Sequence, residues 1–270
     1  MAESAMLDLR DLRKTFNPGT VVEKKALDGV NLTLQKGDFV TVIGGNGAGK
    51  STMLNAVAGT FPIDTGAVFL GGRDVTHLPE HRRAAFLGRV FQDPMTGTAA
   101  SMNIEENLAL ALRRGQRRSL RWGITQKERG IYREKLSSLN LGLEDRMGSK
   151  VGLLSGGQRQ ALTLLMATLK EPELLLLDEH TAALDPKTAE KVLQLTSGLI
   201  REGGLTALMV THNMRDALAM GNRLIMMHEG RIILDLGAEE KRNMTVEDLL
   251  LKFEEASGQA LANDRMLLAT

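Results

Sequence analysis

The sequence predicts an α/β fold, built on a mostly parallel sheet with helices on both faces. An antiparallel β-subdomain is expected near the N-terminus and an α-helical subdomain as an insertion. Three observations predict this. Short apolar runs at residues 38–43, 174–177 and 205–211 alternate with helix-like stretches, as in sheets buried on both faces. Residues 6–12 and 27–34 instead alternate apolar with polar, as half-buried strands do. Between Met102 and Met147 the strands stop and helical texture takes over.

The elements follow in order. Asn17-Pro18-Gly19-Thr20 turns between the first two strands, and Lys36-Gly37-Asp38 leads into the first buried one. A helix is expected over 52–58, stopped by Gly59. Thr65-Gly66 turns into a strand at 67–70, residues 79–87 read as a short helix, and 89–91 as a brief strand broken by Asp93-Pro94. Helices are expected at 103–112 and 126–139, the latter with Ile131, Leu136 and Leu139 as apolar anchors. A helix from 159 to 169 ends at Pro172. Pro186 sits suitably at the start of the next, to 202. Residues 213–220 form a helix, 223–236 a hairpin about Glu229-Gly230, and 245 to about 262 a final helix.

Composition bounds the chemistry. The 270 residues carry 34 Lys+Arg against 33 Asp+Glu, so no global field favours nucleic acid. Cysteine is absent, which excludes disulfides and thiolate zinc sites. Met1-Ala2-Glu3-Ser4 opens no signal peptide, and no apolar run reaches the roughly 18 residues of a membrane span. Aromatics are 3%, so aliphatic side chains and the 14 methionines must fill the core. A basic run stands out in the insertion: Arg113, Arg114, Arg117, Arg118, Arg121, Lys127, Arg129, Arg133 and Lys135. Such a run ordinarily forms a solvated face; contact with anionic lipid or a membrane partner is the sharper alternative. Only Trp122 and Tyr132 lie near enough to stack on bases, which argues against nucleic acid.

Function is carried by Gly44-Gly45-Asn46-Gly47-Ala48-Gly49-Lys50-Ser51-Thr52, which fits G-x-x-x-x-G-K-[ST] between a strand and a helix. Glycines let successive N–H groups point into one concavity, and the helix N-terminus adds positive potential. Lys50 can reach β- and γ-phosphates, Ser51 can ligate Mg²⁺, and Thr52 can bond the α-phosphate. Asp178 and Glu179 cap the leucine run 174–177. A carboxylate at Asp178 can hold the Mg²⁺ water shell, while Glu179 can orient or deprotonate an attacking water. Gly44, Asp178 and His212 all follow apolar strands, so they can converge at the carboxyl edge of the sheet.

Leu154-Ser155-Gly156-Gly157-Gln158 makes the chain resemble the nucleotide-binding subunits of ABC transporters, P-loop NTPases with a RecA-like sheet. Gln92, Asp178-Glu179, Ala183-Leu184-Asp185, His212 and Phe16 stand in the family's order, so the resemblance spans roughly 7–236. It implies ATP and Mg²⁺ as ligands and the following roles. Phe16, otherwise a core residue at a strand end, would stack on adenine. Gln92 would contact Mg²⁺ and the attacking water and link the site to the helical subdomain. Ser155 and Gly157, with Gly156 and Gln158, would meet ATP bound to an opposite subunit. Asp185 would bridge two subunits, and His212 would contact the γ-phosphate and position Glu179. Residues 1–245 would be the nucleotide-binding domain, with 93–165 as its helical subdomain and 246–270 as a helical tail.

Two positions depart from the family pattern. His180 stands where proline is usual, and reads as a variant of backbone stiffness or, as a minor alternative, as a water-positioning group. Residues 165–169 lack the usual basic residue. His77, His81 and His228 read as surface or packing residues.

The resemblance further implies a head-to-tail dimer with a second copy or a paralogous ATPase subunit. It implies a separate permease contacted by the helical subdomain, and an extracytoplasmic substrate-binding protein. The site would be peripheral, at the cytoplasmic face of the inner membrane. The text of 178–185 resembles ATPases of a putative amino-acid uptake group of the tryptophan/tyrosine type. An exporter or lipid-extractor ATPase is the alternative, and a soluble ABC ATPase acting on nucleic acid a third.

Overall fold

The computed structural model describes residues 5–116 and 123–257. Arg117, Arg118, Arg121, Trp122 and the end of the helix expected to reach about 262 lie outside the described residues.

A six-stranded sheet forms the centre. It comprises β3 (Phe39–Ile43), β6 (Leu87–Val90), β7 (Leu174–Asp178), β8 (Thr206–Val210), β9 (Arg223–His228) and β10 (Arg231–Leu236). Their order is β10-β9-β3-β8-β7-β6, with every neighbour pair parallel except the β9–β10 hairpin. Beside it lies an antiparallel sheet of β1 (Leu7–Phe16), β2 (Lys24–Leu34), β4 (Thr65–Leu70) and β5 (Arg73–Asp74), in the order β2-β1-β4-β5. Both sheets match the expected fold class.

The period of two along each strand divides the core. Val40 and Val42, Leu174 and Leu176, Leu208 and Val210 face one side, packing on α1 (Lys50–Ala58) and the antiparallel sheet. Leu175, Leu177, Ala207 and Met209 face the other, against α5 (Gly156–Thr168) and α6 (Pro186–Gly203). Farther along that face, α7 (Met214–Ala219) and α9 (Val246–Ser257) cover β9 through Met214, Ala217, Leu249 and Phe253. The apolar runs are continuous because both faces are covered.

The short α2 (Glu80–Arg83) corrects the expected helix at 79–87. It stops because Leu87 is already strand, paired with Leu174. Arg83 explains the stop further: its guanidinium is buried and donates to the carbonyls of Ala56, Val57, Thr76 and Leu78, closing the C-terminal end of α1.

The helical region has its own core. Here α3 (Ile104–Leu112), α4 (Gln126–Ser137) and the first half of α5 pack through Ile104, Leu108, Tyr132, Leu136, Ala161 and Leu165. Ile131, expected as an anchor, is 37% exposed, and Tyr132 takes its place at 0%. The expected anchors Leu136 and Leu139 are buried. Much of the basic run is internally matched. Arg113 pairs with Glu128 at 2.7 Å and Arg129 with Glu105 at 2.8 Å, while Arg114 donates to Ala167 O and Lys170 O. The described part therefore has less free positive charge than the sequence suggests. His77 and His81 are exposed, and His228 packs edge-on against Phe253 at 5.3 Å. The sequence reading missed α8 (Ala238–Arg242), pinned by the buried Lys241 ammonium on Met220 O and on Thr41 Oγ1 at 3.3 Å.

Candidate active site

The glycine loop joins β3 to α1 at the carboxyl edge of the sheet. Gly49 caps the helix with φ 102°, and Met53 N donates to Gly49 O at 2.8 Å. Two glycines are required by packing as well as by φ. A Cβ on Gly44, at φ 147°, would lie 2.2 Å from Met227 O, and one on Gly49 2.5 Å from Ala26 O. The loop backbone is thus pressed against β9 and β2. Gly45 is half-buried, Asn46 and Gly47 are exposed, and Ala48 is buried, with its carbonyl accepting from Gly230 N at 3.0 Å. Lys50 is buried and folds back on the loop, donating to Gly44 O at 2.7 Å and Gly45 O at 3.2 Å. Thr52, next on α1, is half-buried.

Five of the expected residues come together beside this loop. Ser51 Oγ lies 3.1 Å from Asp178 Oδ1 at the end of β7. Burial pushes the Asp178 carboxyl up, opposed first by the Ser51 hydrogen bond and then by the Arg89 charge. Glu179 Oε2 lies 3.5 Å from Gln92 Nε2 and 3.6 Å from His212 Nδ1. Both separations are long, as is common before a substrate draws a site together. Glu179 adopts φ 43°, left-handed for a residue with a Cβ, while its N–H still bonds Val210 O at 3.0 Å. The strand ladder therefore runs one residue past Asp178, and the strained φ then turns the chain away.

The other expected residues fall into two places. Phe16, at the end of β1, is half-buried and meets Phe61 edge-on at 5.3 Å. Ser155 caps α5: its hydroxyl accepts from Gln158 N at 3.3 Å, and Gln158 Oε1 accepts from Ser155 N at 3.2 Å. The serine–glutamine spacing thus serves a capping box. Gly156 and Gly157 follow, against the loop leading to α6. A Cβ on Gly156 would lie 3.4 Å from Leu184 and one on Gly157 2.2 Å from Thr188 Cγ2. Asp185 caps α6, accepting from Thr188 N at 3.1 Å; the Thr188 hydroxyl first, and then this backbone N–H, hold its carboxyl below the usual range.

Two groups near the carboxylates were missed. Arg89 stacks 4.5 Å from the Phe91 ring centroid and donates to Thr60 Oγ1 at 3.1 Å. Its charge acts on Asp178. Asp216, on α7, follows His212 by four residues; burial pushes its carboxyl up, opposed by the His212 charge.

The ABC transporter family model matches residues 27–182. The chain is 44% identical over 256 residues to the tyrosine transport ATP-binding protein of Clostridioides difficile (strain R20291), covering 93% of this chain and 100% of that one. It is 33% identical over 246 residues to the spermidine/putrescine import ATP-binding protein PotA of Pasteurella multocida (strain Pm70), covering 89% of this chain and 62% of that one. An ATP-binding cassette solved as a dimer in a post-hydrolysis state with ADP and Pi superposes at TM-score 0.74. It is 31% identical, and the match covers 86% of this chain and 99% of that one. Fold, loop and family match agree: the chain belongs to the ABC transporter family, as an ATP-binding, ATP-hydrolysing subunit.

Proposed function

We propose that this subunit powers uptake of a small substrate, an aromatic amino acid, through a separate membrane permease. The hydrolytic half rests on one observation: the Glu179 carboxylate stands between Gln92 and His212, next to the Ser51–Asp178 pair. The import half rests on relatives named for tyrosine transport and for spermidine/putrescine import. Among the described residues no helix is long and apolar enough to cross a membrane, which suits a peripheral subunit at the cytoplasmic face.

Gly44 to Thr52 cradle the phosphates of ATP, and Lys50 turns from its own loop carbonyls to the β- and γ-phosphates. Phe16 stacks on the adenine. Ser51 and Asp178 offer oxygen donors 3.1 Å apart, with the Gln92 amide nearby, a hard donor set that fits Mg²⁺ completed by phosphate and water oxygens. Among the described residues no cluster of three or more His, Asp or Glu could hold an ion, which suits a cation arriving with the nucleotide. When bound, it supplies charge neutralisation at the transferred phosphoryl group. Glu179 holds the attacking water and takes its proton. His212 orients Glu179 and reaches the γ-phosphate, and Gln92 senses the water.

The exposed N-terminus of α5 completes the site across a head-to-tail dimer with a second copy or a paralogue. Ser155 and Gly157, supported by Gly156 and Gln158, meet the γ-phosphate held by the opposite subunit, and Asp185 bridges the two. Residues 1–245 act as the nucleotide-binding domain. The subdomain 93–165 passes closure to the permease, to which an extracytoplasmic binding protein delivers substrate. Residues 246–270 are assigned to a C-terminal tail.

The test is Glu179→Gln mixed with MgATP and weighed by light scattering. An ATP-dependent shift from monomer to dimer is expected. If mass stays unchanged even with detergent-solubilised permease added, the paired-site reading fails.

A further inference from the structure

A cation beside the phosphate loop is used by none of these roles. Lys24 opens β2 and pairs directly with Phe16 across the β1–β2 ladder. Directly opposed residues project from the same face of a sheet, so the aromatic ring and the lysine stand side by side. The Lys24 Nζ lies 3.0 Å from the point where a Cβ on Gly47 would sit. The space left by the bare glycine at the rim of the phosphate loop is therefore occupied by an ammonium.

Its strand is held firmly against the loop. Ala26, two residues along β2, has its carbonyl oxygen 2.5 Å from the place of a Gly49 Cβ, and Asp28 N donates to Gly230 O at 2.9 Å. Two cations of the neighbouring strand β1 are matched. Lys14 pairs with Asp64 at 2.8 Å, and Arg13 with Asp28 at 2.9 Å. Lys24 makes no ion pair among the described residues. An exposed ammonium beside an anion-binding loop is placed to meet an anionic ligand.

We propose that Lys24 is a nucleotide-binding residue that contacts the α- and β-phosphates of bound adenine nucleotide. This deepens the phosphate-loop reading and rests on it. A nucleotide stacked on Phe16 with its terminal phosphates in the loop must pass its ribose and α-phosphate between the two. Lys24 stands on that path. Lys50 serves the β- and γ-phosphates, so Lys24 acts on the diphosphate that ATP and ADP share. It raises affinity for both alike, which is uniform binding and appears in KM more than in kcat.

The experiment compares the full chain with Lys24→Ala, Lys24→Arg and Lys50→Ala, each checked for folding by thermal melting. Kd for ATP and ADP is read by titration calorimetry at low and high NaCl. Steady-state hydrolysis is measured alongside. Lys24→Ala should weaken ATP and ADP by about tenfold each at low salt, the scale of one charge-assisted hydrogen bond. The deficit should shrink at high salt, and arginine should restore most of it. KM should rise with Kd while the rate at saturating ATP falls less than twofold.

Unchanged affinities in a folded Lys24→Ala protein would overturn the proposal. So would a loss confined to ATP, or one that arginine does not relieve, since either places Lys24 elsewhere or makes it a strand support. If Lys50→Ala also binds and hydrolyses ATP normally, the loop assignment itself falls, and Lys24 with it.

Discussion

His180 Nε2 lies 3.0 Å from Thr196 Oγ1, and both side chains are sealed from solvent immediately behind Glu179. The Thr196 hydroxyl donates to Val192 O at 2.8 Å, so its oxygen accepts from the ring and the imidazole carries its proton on Nε2. The ring ties the loop after Glu179 to the middle of α6. This extends the stiffness reading of His180 and corrects the water-positioning one. It is more than a stiffness variant, because it makes a specific cross-link. It is no water-positioning group, because it faces the core.

That cross-link should make the protein acid-sensitive. Burial lowers the His180 pKa from 6.5 to about 4. The folded state therefore needs the neutral ring, whereas the unfolded chain takes up a proton below 6.5. Stability from this residue is complete above 6.5 and is lost as pH falls towards about 4. At pH 5 the loss is about 2 kcal/mol. Melting curves at pH 7 and 5 should show a drop in wild type that is largely absent in His180→Gln. Equal drops in both would show that other groups control acid unfolding.

Gly157 is needed for room. Its missing Cβ would meet Thr188 Cγ2 at 2.2 Å, at the first turn of α6. Gly157→Ala should cost about 1–3 kcal/mol by overpacking, despite the helix propensity of alanine. Adding Thr188→Ser removes the clashing methyl and keeps the backbone N–H that Asp185 accepts from. A double-mutant cycle by denaturant titration should recover most of the loss. Strict additivity would mean that the two helix starts are not in contact in solution.

Removing the Glu179 carboxylate should separate binding from turnover. Glu179→Gln keeps the shape and the positions of Gln92 and His212, yet cannot take a proton. The hydrolysis rate should fall by about 10²-fold or more, while ATP affinity stays within about twofold. A rate within tenfold of wild type would move the base to another group, with Asp178 and His212 the first to test.

The sequence announced the parts whose chemistry depends on spacing. The glycine loop, the carboxylates after β7 and the α5 start are local patterns. The order β10-β9-β3-β8-β7-β6 then brings distant strand ends to one edge. What stayed hidden depends on tertiary contact. Glycine at the first turns of α5 delayed its expected start from 156 to 159, because propensity counts against it. The polar text of α8 hid a helix whose anchor is a buried lysine stem. Lys24 carried no motif, since only the pairing of Phe16 with it and the fold of the loop bring it to the site.

The helical core shows the same limit, and it can be measured. Ile131 and Tyr132 are neighbours on α4, and hydropathy favours the isoleucine as the anchor. Two positions one residue apart differ by 100° around a helix, so on a half-exposed helix one can face the core while its neighbour faces solvent. The structure turns Tyr132 inward at 0% exposure and leaves Ile131 at 37%. Ile131→Ala should change stability by less than about 0.5 kcal/mol, and Tyr132→Ala should cost about 3–5 kcal/mol. Among the described residues the Tyr132 hydroxyl has no hydrogen-bond partner, and burial pushes its pKa up to about 12. Tyr132→Phe deletes that unpaired group while keeping the ring, so it should be neutral or stabilising by up to about 1 kcal/mol. Thermal melting of the three variants decides the point. Destabilisation by Tyr132→Phe of more than about 1 kcal/mol would show that the hydroxyl is satisfied in solution. A large loss from Ile131→Ala would mean that α4 is rotated.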